Sequence, residues 1–166
     1  PTIVTINAAL NIPVAPTASV TFQPTCLIPT GTITVTAPLG GNLEYSKDGV
    51  NYQAGTTFNN LTQNTNYNIT ARDIVSGCIS PITAVFVNAI PGSPNAPTGT
   101  ISQPNCKIIT GAITITSPLG SNLEYSKDGT NFQSNTDFIG LPPNSTVFIT
   151  VRDKISSCVS SVSEFT

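Results

Sequence analysis

The chain contains no histidine, no methionine and no tryptophan among its 166 residues, and charged side chains make up only 8% of it. Without imidazole there is no general base titrating near neutrality and no His-containing zinc set. The six Lys and Arg residues (Lys47, Arg72, Lys107, Lys127, Arg152, Lys154) are scattered, which leaves no basic track for phosphates and excludes nucleic acid as an expected partner. No apolar run approaches the roughly 18 residues of a spanning helix, and no basic amphipathic helix is present to lie on a bilayer, so no membrane insertion is expected. Clustered carboxylates, a reactive-cysteine setting and a Gly-rich phosphate loop ahead of a helix are also missing. We therefore expect no catalytic residues, no metal, no cofactor and no enzyme.

What is abundant is Thr, Asn and Ser, with 14 Pro and 12 Gly, so uncharged polar groups must do the solvating. The order of these residues is repetitive. Residues 23–80 align without a gap on residues 103–160, with more than half of the positions identical. The best-matched stretch is PLGGNLEYSKDGVNYQ (38–53) against PLGSNLEYSKDGTNFQ (118–133). Cys26 maps to Cys106, Cys78 to Cys158, and Arg72-Asp73 to Arg152-Asp153, so the chain holds two copies of one module.

Within a copy, Thr32-Ile33-Thr34-Val35-Thr36 sets two β-branched apolar side chains on one face and threonines on the other, the pattern of a half-buried strand. Ala112-Ile113-Thr114-Ile115-Thr116 repeats it. Asp48-Gly49 and Asp128-Gly129 lie between alternating apolar residues and predict hairpin turns. Tyr67, Ile69 and Ala71 are spaced by two on a strand ending at Arg72-Asp73, and a final strand runs through Ile82, Val85 and Val87. Helical periodicity free of Pro and Gly is absent over any usual helix length. The fold class expected is all-β: two tandem immunoglobulin/fibronectin-III-like β-sandwich domains joined by a short Pro-rich linker.

At a shift of one further residue, Thr5-Ile6-Asn7-Ala8 aligns with Phe86-Val87-Asn88-Ala89. The expected division is therefore residues 1–15 as the last strand of a preceding repeat plus linker, 16–90 as repeat 1, 91–96 as linker, and 97–166 as repeat 2 with its last strand truncated. Since the chain starts at Pro1 with no leader, we expect a piece cut from a longer array. The proline-rich linkers favour extended, semi-rigid spacers.

The four cysteines, Cys26, Cys78, Cys106 and Cys158, contain no CxxC pair and read as disulfides in an oxidising compartment. Equal spacing in the two copies points to Cys26–Cys78 and Cys106–Cys158. That pairing meets a topological difficulty, because in a seven-strand sandwich the loop after the first strand and the loop before the last lie at opposite poles. Free thiols and cross-linking between copies or chains are the alternatives.

Other features have plain readings. Calcium needs six to eight oxygens, whereas each copy offers Glu44, Asp48 and Asp73 or their equivalents in different turns, so Asp48 is expected to be a turn residue. Arg72-Asp73 is expected to form a strand-end ion pair or turn, and the threonine rows form the outer face of a strand. Asn60, Asn68 and Asn144 head glycosylation sequons, which an Asn- and Thr-rich chain produces by accident. The segment 61–69 resembles the tyrosine corner of fibronectin type III modules, although Val147 stands where the first copy has Tyr67.

The motifs PTC (24–26), GTITVT (31–36), YSKDGVNYQ (45–53), FxxL (58–61) and ARDxxSGC (71–78) resemble the tandem immunoglobulin-like repeats of giant Bacteroidota surface (gliding) adhesins exported by the type IX secretion system. The resemblance implies a secreted protein of the bacterial cell surface, serving as a stiff stalk or filament in adhesion and gliding. Neighbouring repeats of the same chain are the partners it implies, with like chains in a filament and surface glycans as further candidates. A glycan- or protein-binding module, and a fibre built by exchanging strand 3–10, are the alternative functions.

Overall fold

The structure, a computed structural model, describes residues 12–166. Every regular element among them is a strand. The first repeat gives β1 (Thr17–Phe22), β2 (Thr30–Ala37), β3 (Leu43–Ser46), β4 (Tyr52–Gln53), β5 (Thr57–Thr62), β6 (Thr65–Asp73) and β7 (Thr83–Val87). The second gives β8 (Thr98–Ser102), β9 (Gly111–Ser117), β10 (Leu123–Ser126), β11 (Asp137–Leu141), β12 (Val147–Asp153) and β13 (Ser163–Phe165). The strand expected within residues 1–15, and with it the exchange strand 3–10, lies outside the described residues. By packing, the chain forms two compact units. The first takes in the chain up to Pro24 and Ile28–Ala89; the second combines Thr25–Leu27 with Ile90–Thr166.

In the first unit a three-stranded sheet, β1-β2-β5, and a four-stranded sheet, β4-β3-β6-β7, are antiparallel throughout. They enclose Ile33, Val35, Tyr45, Phe58, Leu61, Ile69, Ala71, Val85 and Val87. This is an immunoglobulin/fibronectin-III-like β-sandwich. The alternation in β2 settles the inner face: Ile33 and Val35 are buried while Thr32 and Thr34 turn outward. The second unit repeats the scheme with β8-β9-β11 and β10-β12-β13 around Ile113, Ile115, Tyr125, Phe138, Leu141, Ile149, Val151 and Phe165. The counterpart of β4 is reduced there to one bridge, Tyr125 to Gln133.

A β-bulge explains the one-residue change of alignment between the linkers and the modules. In β1, Val20 opposes Ile33 and Phe22 opposes Thr32, which leaves Thr21 without a partner residue. In β8, Ile101 and Ser102 oppose Ile113 and Ala112 directly. The extra residue of the first copy is therefore absorbed where a bulge can hold it without turning the inner face outward.

Strand direction fixes what lies at each end of a sandwich. In the first unit the end of β1 meets the end of β7, where the Asn88 amide donates to Gln23 Oε1 at 3.0 Å. The loop after β6 meets the β2–β3 connection at the opposite end, where the Ile74 amide donates to the Asn42 carbonyl at 2.9 Å. Pro24 and Ile28, which flank Cys26, thus stand at the end away from the loop of Cys78.

Candidate functional site

Polarity decides the cysteine chemistry. Cys26 is bonded to Cys158, with Cα atoms 5.0 Å apart and 132 residues between them in sequence. Cys78 and Cys106 are thiols. The within-copy pairs expected from equal spacing, Cys26–Cys78 and Cys106–Cys158, are corrected: each would have to span the length of one sandwich, and a disulfide reaches only about 4.4–6.8 Å between Cα atoms. The bond instead ties the β1–β2 connection of the first repeat to the β12–β13 loop of the second. Thr25–Leu27 leaves the unit that its flanking strands build and packs with the other.

The β12–β13 loop is organised to present Cys158. Asp153 Oδ1 accepts from the amides of Ile155 and Ser156 at 2.9 and 2.7 Å. The Ser157 amide donates to the Asp153 carbonyl at 2.8 Å, and the Asp153 amide donates to the Cys158 carbonyl at 3.0 Å. Ser160 locks the far side, its Oγ accepting from the Val151 amide at 2.9 Å. The incoming segment is held by its backbone too, because the Cys26 amide donates to the Ser156 carbonyl at 2.9 Å. The Pro91 carbonyl oxygen lies 3.3 Å from Cys158 Sγ; a disulfide sulfur has no hydrogen to donate, so this is a packing contact.

The same loop exists in the first repeat. Asp73 Oδ1 accepts from the amides of Val75 and Ser76 at 3.0 and 2.7 Å. The Gly77 amide donates to the Asp73 carbonyl, the Asp73 amide to the Cys78 carbonyl, and the Ala71 amide to Ser80 Oγ. Cys78 is thus presented as Cys158 is, but half-buried and unbonded. Hydrogen bonds from Ser76, the backbone amide first and then the side chain, hold the Asp73 carboxyl below the ordinary carboxylate range; in the second loop the Ser156 amide does the same for Asp153. Cys106 is exposed, in a turn closed by Asn105 Oδ1, which accepts from the amides of Lys107 and Ile108.

The remaining candidate residues have structural partners. Asp48 Oδ1 accepts from the Val50 and Asn51 amides at 2.9 and 2.8 Å and Oδ2 from Asn51 Nδ2 at 2.9 Å, while Gly49 takes φ 75°. Asp128 repeats this with Thr130 and Asn131. Arg72 donates to Glu44 Oε1 from Nε and Nη2 at 3.0 and 2.8 Å and stacks 4.0 Å from the Tyr52 ring centre. Arg152 does likewise with Glu124 and Phe132. Of the expected pair, Arg72 is the ion-pair partner and Asp73 the turn former.

The aromatic side chains of the first repeat are mostly engaged by the sandwich itself. Tyr45 and Phe58 are in the core, and Tyr45 donates its hydroxyl proton to the Pro38 carbonyl at 2.6 Å. Burial raises the Tyr45 pKa, and that of Tyr125 in the same way. Tyr52 lies under Arg72, and the Tyr67 hydroxyl accepts from the Thr62 amide at 2.8 Å, so the tyrosine corner is formed. The aromatics that expose about half their surface are Phe86 and Phe148, whose positions on outward phases of β7 and β12 were legible in the alternation. The sequence does not signal which cysteines pair, because pairing depends on which ends of the strands meet.

No protein-family model matches the sequence, and no curated protein sequence does. Among solved structures the chain is similar to the chicken CNTN1 FN1-FN3 domains, with 14% identity and a TM-score of 0.39 over 93% of this chain and 67% of that one. It is also similar to a two fibronectin type-III domain segment from chicken tenascin, with 15% identity and a TM-score of 0.33 over 90% of this chain and 97% of that one.

Proposed function

We infer that this chain is a structural segment of an extracellular bacterial surface adhesin or filament, a stiff tandem-repeat stalk that serves adhesion and gliding. The observation that carries this reading is the disulfide, which joins a connection of one repeat to a loop of the next and so encloses 132 residues of sequence separation in a covalent loop. Disulfides persist in oxidising compartments, which supports a secreted location. A chain pulled from its ends transmits force through Cys26–Cys158 and bypasses most of both sandwiches. Low charge, proline-bearing linkers and tightly hydrogen-bonded turns suit an extended, protease-resistant spacer.

Single-molecule stretching from the two termini tests the reading. With the bond intact, residues 27–157 add nothing to the unfolded length. Reduction should add about 450 Å of extension, taking the 132-residue separation at roughly 3.4 Å per residue. Equal extensions with and without reductant would sink the stalk reading. Specific, saturable binding of the oxidised chain on a glycan array would replace it with the binding-module reading.

A further inference from the structure

The Cys26 segment lies on the Cys158 loop through a disulfide and one backbone hydrogen bond, from the Cys26 amide to the Ser156 carbonyl at 2.9 Å. There Ser156 and Cys158 are buried and Ser157 is half-buried, whereas their counterparts Ser76 and Cys78 are half-buried and Gly77 is exposed. At every other position from 71 to 80 the two loops are alike in burial. The loops thus differ only over the footprint of the bonded segment, beside which the Pro91 carbonyl also lies. We propose that the Cys78 loop is a second acceptor site of the same kind. It takes the Pro-x-Cys connection of the preceding repeat in the array, through a disulfide to Cys78 and a hydrogen bond to the Ser76 carbonyl.

The bond already formed identifies the occupant. Cys26 belongs to the connection between the first two strands of one repeat and Cys158 to the loop before the last strand of the next, so the connection reaches forward along the chain. By the same rule the Cys78 loop receives its partner from the repeat before it. The receiving half is built: Asp73 Oδ1 accepts from the Val75 and Ser76 amides, the Asp73 amide donates to the Cys78 carbonyl, and Ser80 Oγ accepts from the Ala71 amide, as Asp153 and Ser160 do around Cys158. The inserted half is a motif of the module, since Pro24-Thr25-Cys26 recurs as Pro104-Asn105-Cys106. The first repeat is then tied through Cys26 to the repeat after it and through Cys78 to the one before.

The chemistry needs a two-electron oxidant, supplied by a small disulfide such as oxidised glutathione. The thiolate of the incoming connection attacks one glutathione sulfur, forming a mixed disulfide and releasing glutathione thiolate. The Cys78 thiolate then attacks the protein sulfur of that mixed disulfide and expels the second glutathione. Two protein thiols lose two protons and two electrons, and one glutathione disulfide becomes two glutathione thiols.

The inference deepens the stalk reading and rests on it, but the tests separate. Two variants of the 166-residue chain, Cys106→Ser and Cys78→Ser, each keep Cys26–Cys158 and a single thiol. Each is equilibrated in a glutathione redox buffer with the peptide FQPTCLIPT, residues 22–30 of this sequence, and the peptide and glutathione adducts are mapped and quantified by mass spectrometry. Cys78 should favour the peptide over glutathione about tenfold or more relative to Cys106. A peptide N-methylated at its cysteine cannot donate to the Ser76 carbonyl and should lose roughly three- to tenfold of that preference, the worth of one hydrogen bond. A scrambled peptide that keeps the cysteine should show no preference. Equal preferences at the two thiols, equal uptake of the scrambled peptide, indifference to N-methylation, or a Cys78 that takes neither partner would each overturn the proposal. Those outcomes leave the reductant-dependent extension untouched, whereas failure of that extension removes the stalk reading whatever the peptide does.

Discussion

The two units share a framework and differ at positions where one change has been answered by another. In the first, the Thr62 amide donates to the Tyr67 hydroxyl; in the second, Pro142 has no amide hydrogen and Val147 no hydroxyl, so both halves of the bond are gone together. The second pair of changes is incomplete. Tyr52 and Thr70 share a hydroxyl contact at 3.2 Å, whereas Phe132 replaces Tyr52 and the Thr150 hydroxyl is buried with no partner. A Cβ at Gly31 would stand 2.6 Å from Val87 Cγ1, so the first unit has no room for a side chain there. Drift between repeats is thus tolerated when both partners change, and leaves a measurable defect when one does.

The largest contrast should come from the cysteines. In a background with Cys78 and Cys106 as Ser, replacing Cys26 and Cys158 by Ser should cost up to about 5 kcal/mol, the chain-entropy value for a loop of this length. Replacing Cys78 and Cys106 alone should cost less than about 0.5 kcal/mol, as for other substitutions away from such features. Chemical denaturation measures both, and a large loss from the thiol pair would reverse their assignment.

Gly31→Ala tests that packing. It should destabilise by about 1–3 kcal/mol, as overpacking does, and should lose part of that cost when combined with Val87→Ala. Hydrogen exchange reads the effect in the first unit, and an undiminished cost in the Val87→Ala background would mean that Val87 does not confine the site. A smaller step repairs the orphaned hydroxyl: Phe132→Tyr should gain about 1 kcal/mol and Tyr52→Phe lose a similar amount. Opposite signs in calorimetry would confirm that Thr150 lacks only a partner.

Much of this was legible in the sequence. Alternation located the strands because half-buried β-branched residues leave a period of two, and Asp48-Gly49 located the turn because its carboxylate and left-handed glycine are local chemistry. Cys26 was not legible in the same way. Equal spacing within each copy was a statement about sequence, while bonding follows the ends at which strands stop, and the difficulty raised by opposite poles proved decisive. The orphaned Thr150 was likewise hidden, since Tyr52 and Thr70 meet across neighbouring strands. The change of alignment at Thr21 was visible but had no meaning until the bulge gave it one.

The smallest expected effect is one that the two units share. The Asp48 and Asp128 carboxyls are held far below the ordinary carboxylate range, first by the Asn51 or Asn131 side chain, then by that residue's amide and the amide of Val50 or Thr130, and by the Ser46 or Ser126 hydroxyl. A carboxyl with a lower pKa folded than unfolded contributes stability that is present above its unfolded value, about pH 4, and is lost as pH falls toward the folded value. Both groups are exposed, so solvent screens the contribution. Asp48→Asn and Asp128→Asn keep the oxygen that accepts the backbone amides and remove the charge. Each variant should be less stable than the parent at neutral pH, and the gap should narrow as pH falls below about 4, by equal amounts in the two units. Thermal unfolding across that range reads the narrowing; a gap unchanged at acid pH would show that the turn depends on shape and not on charge.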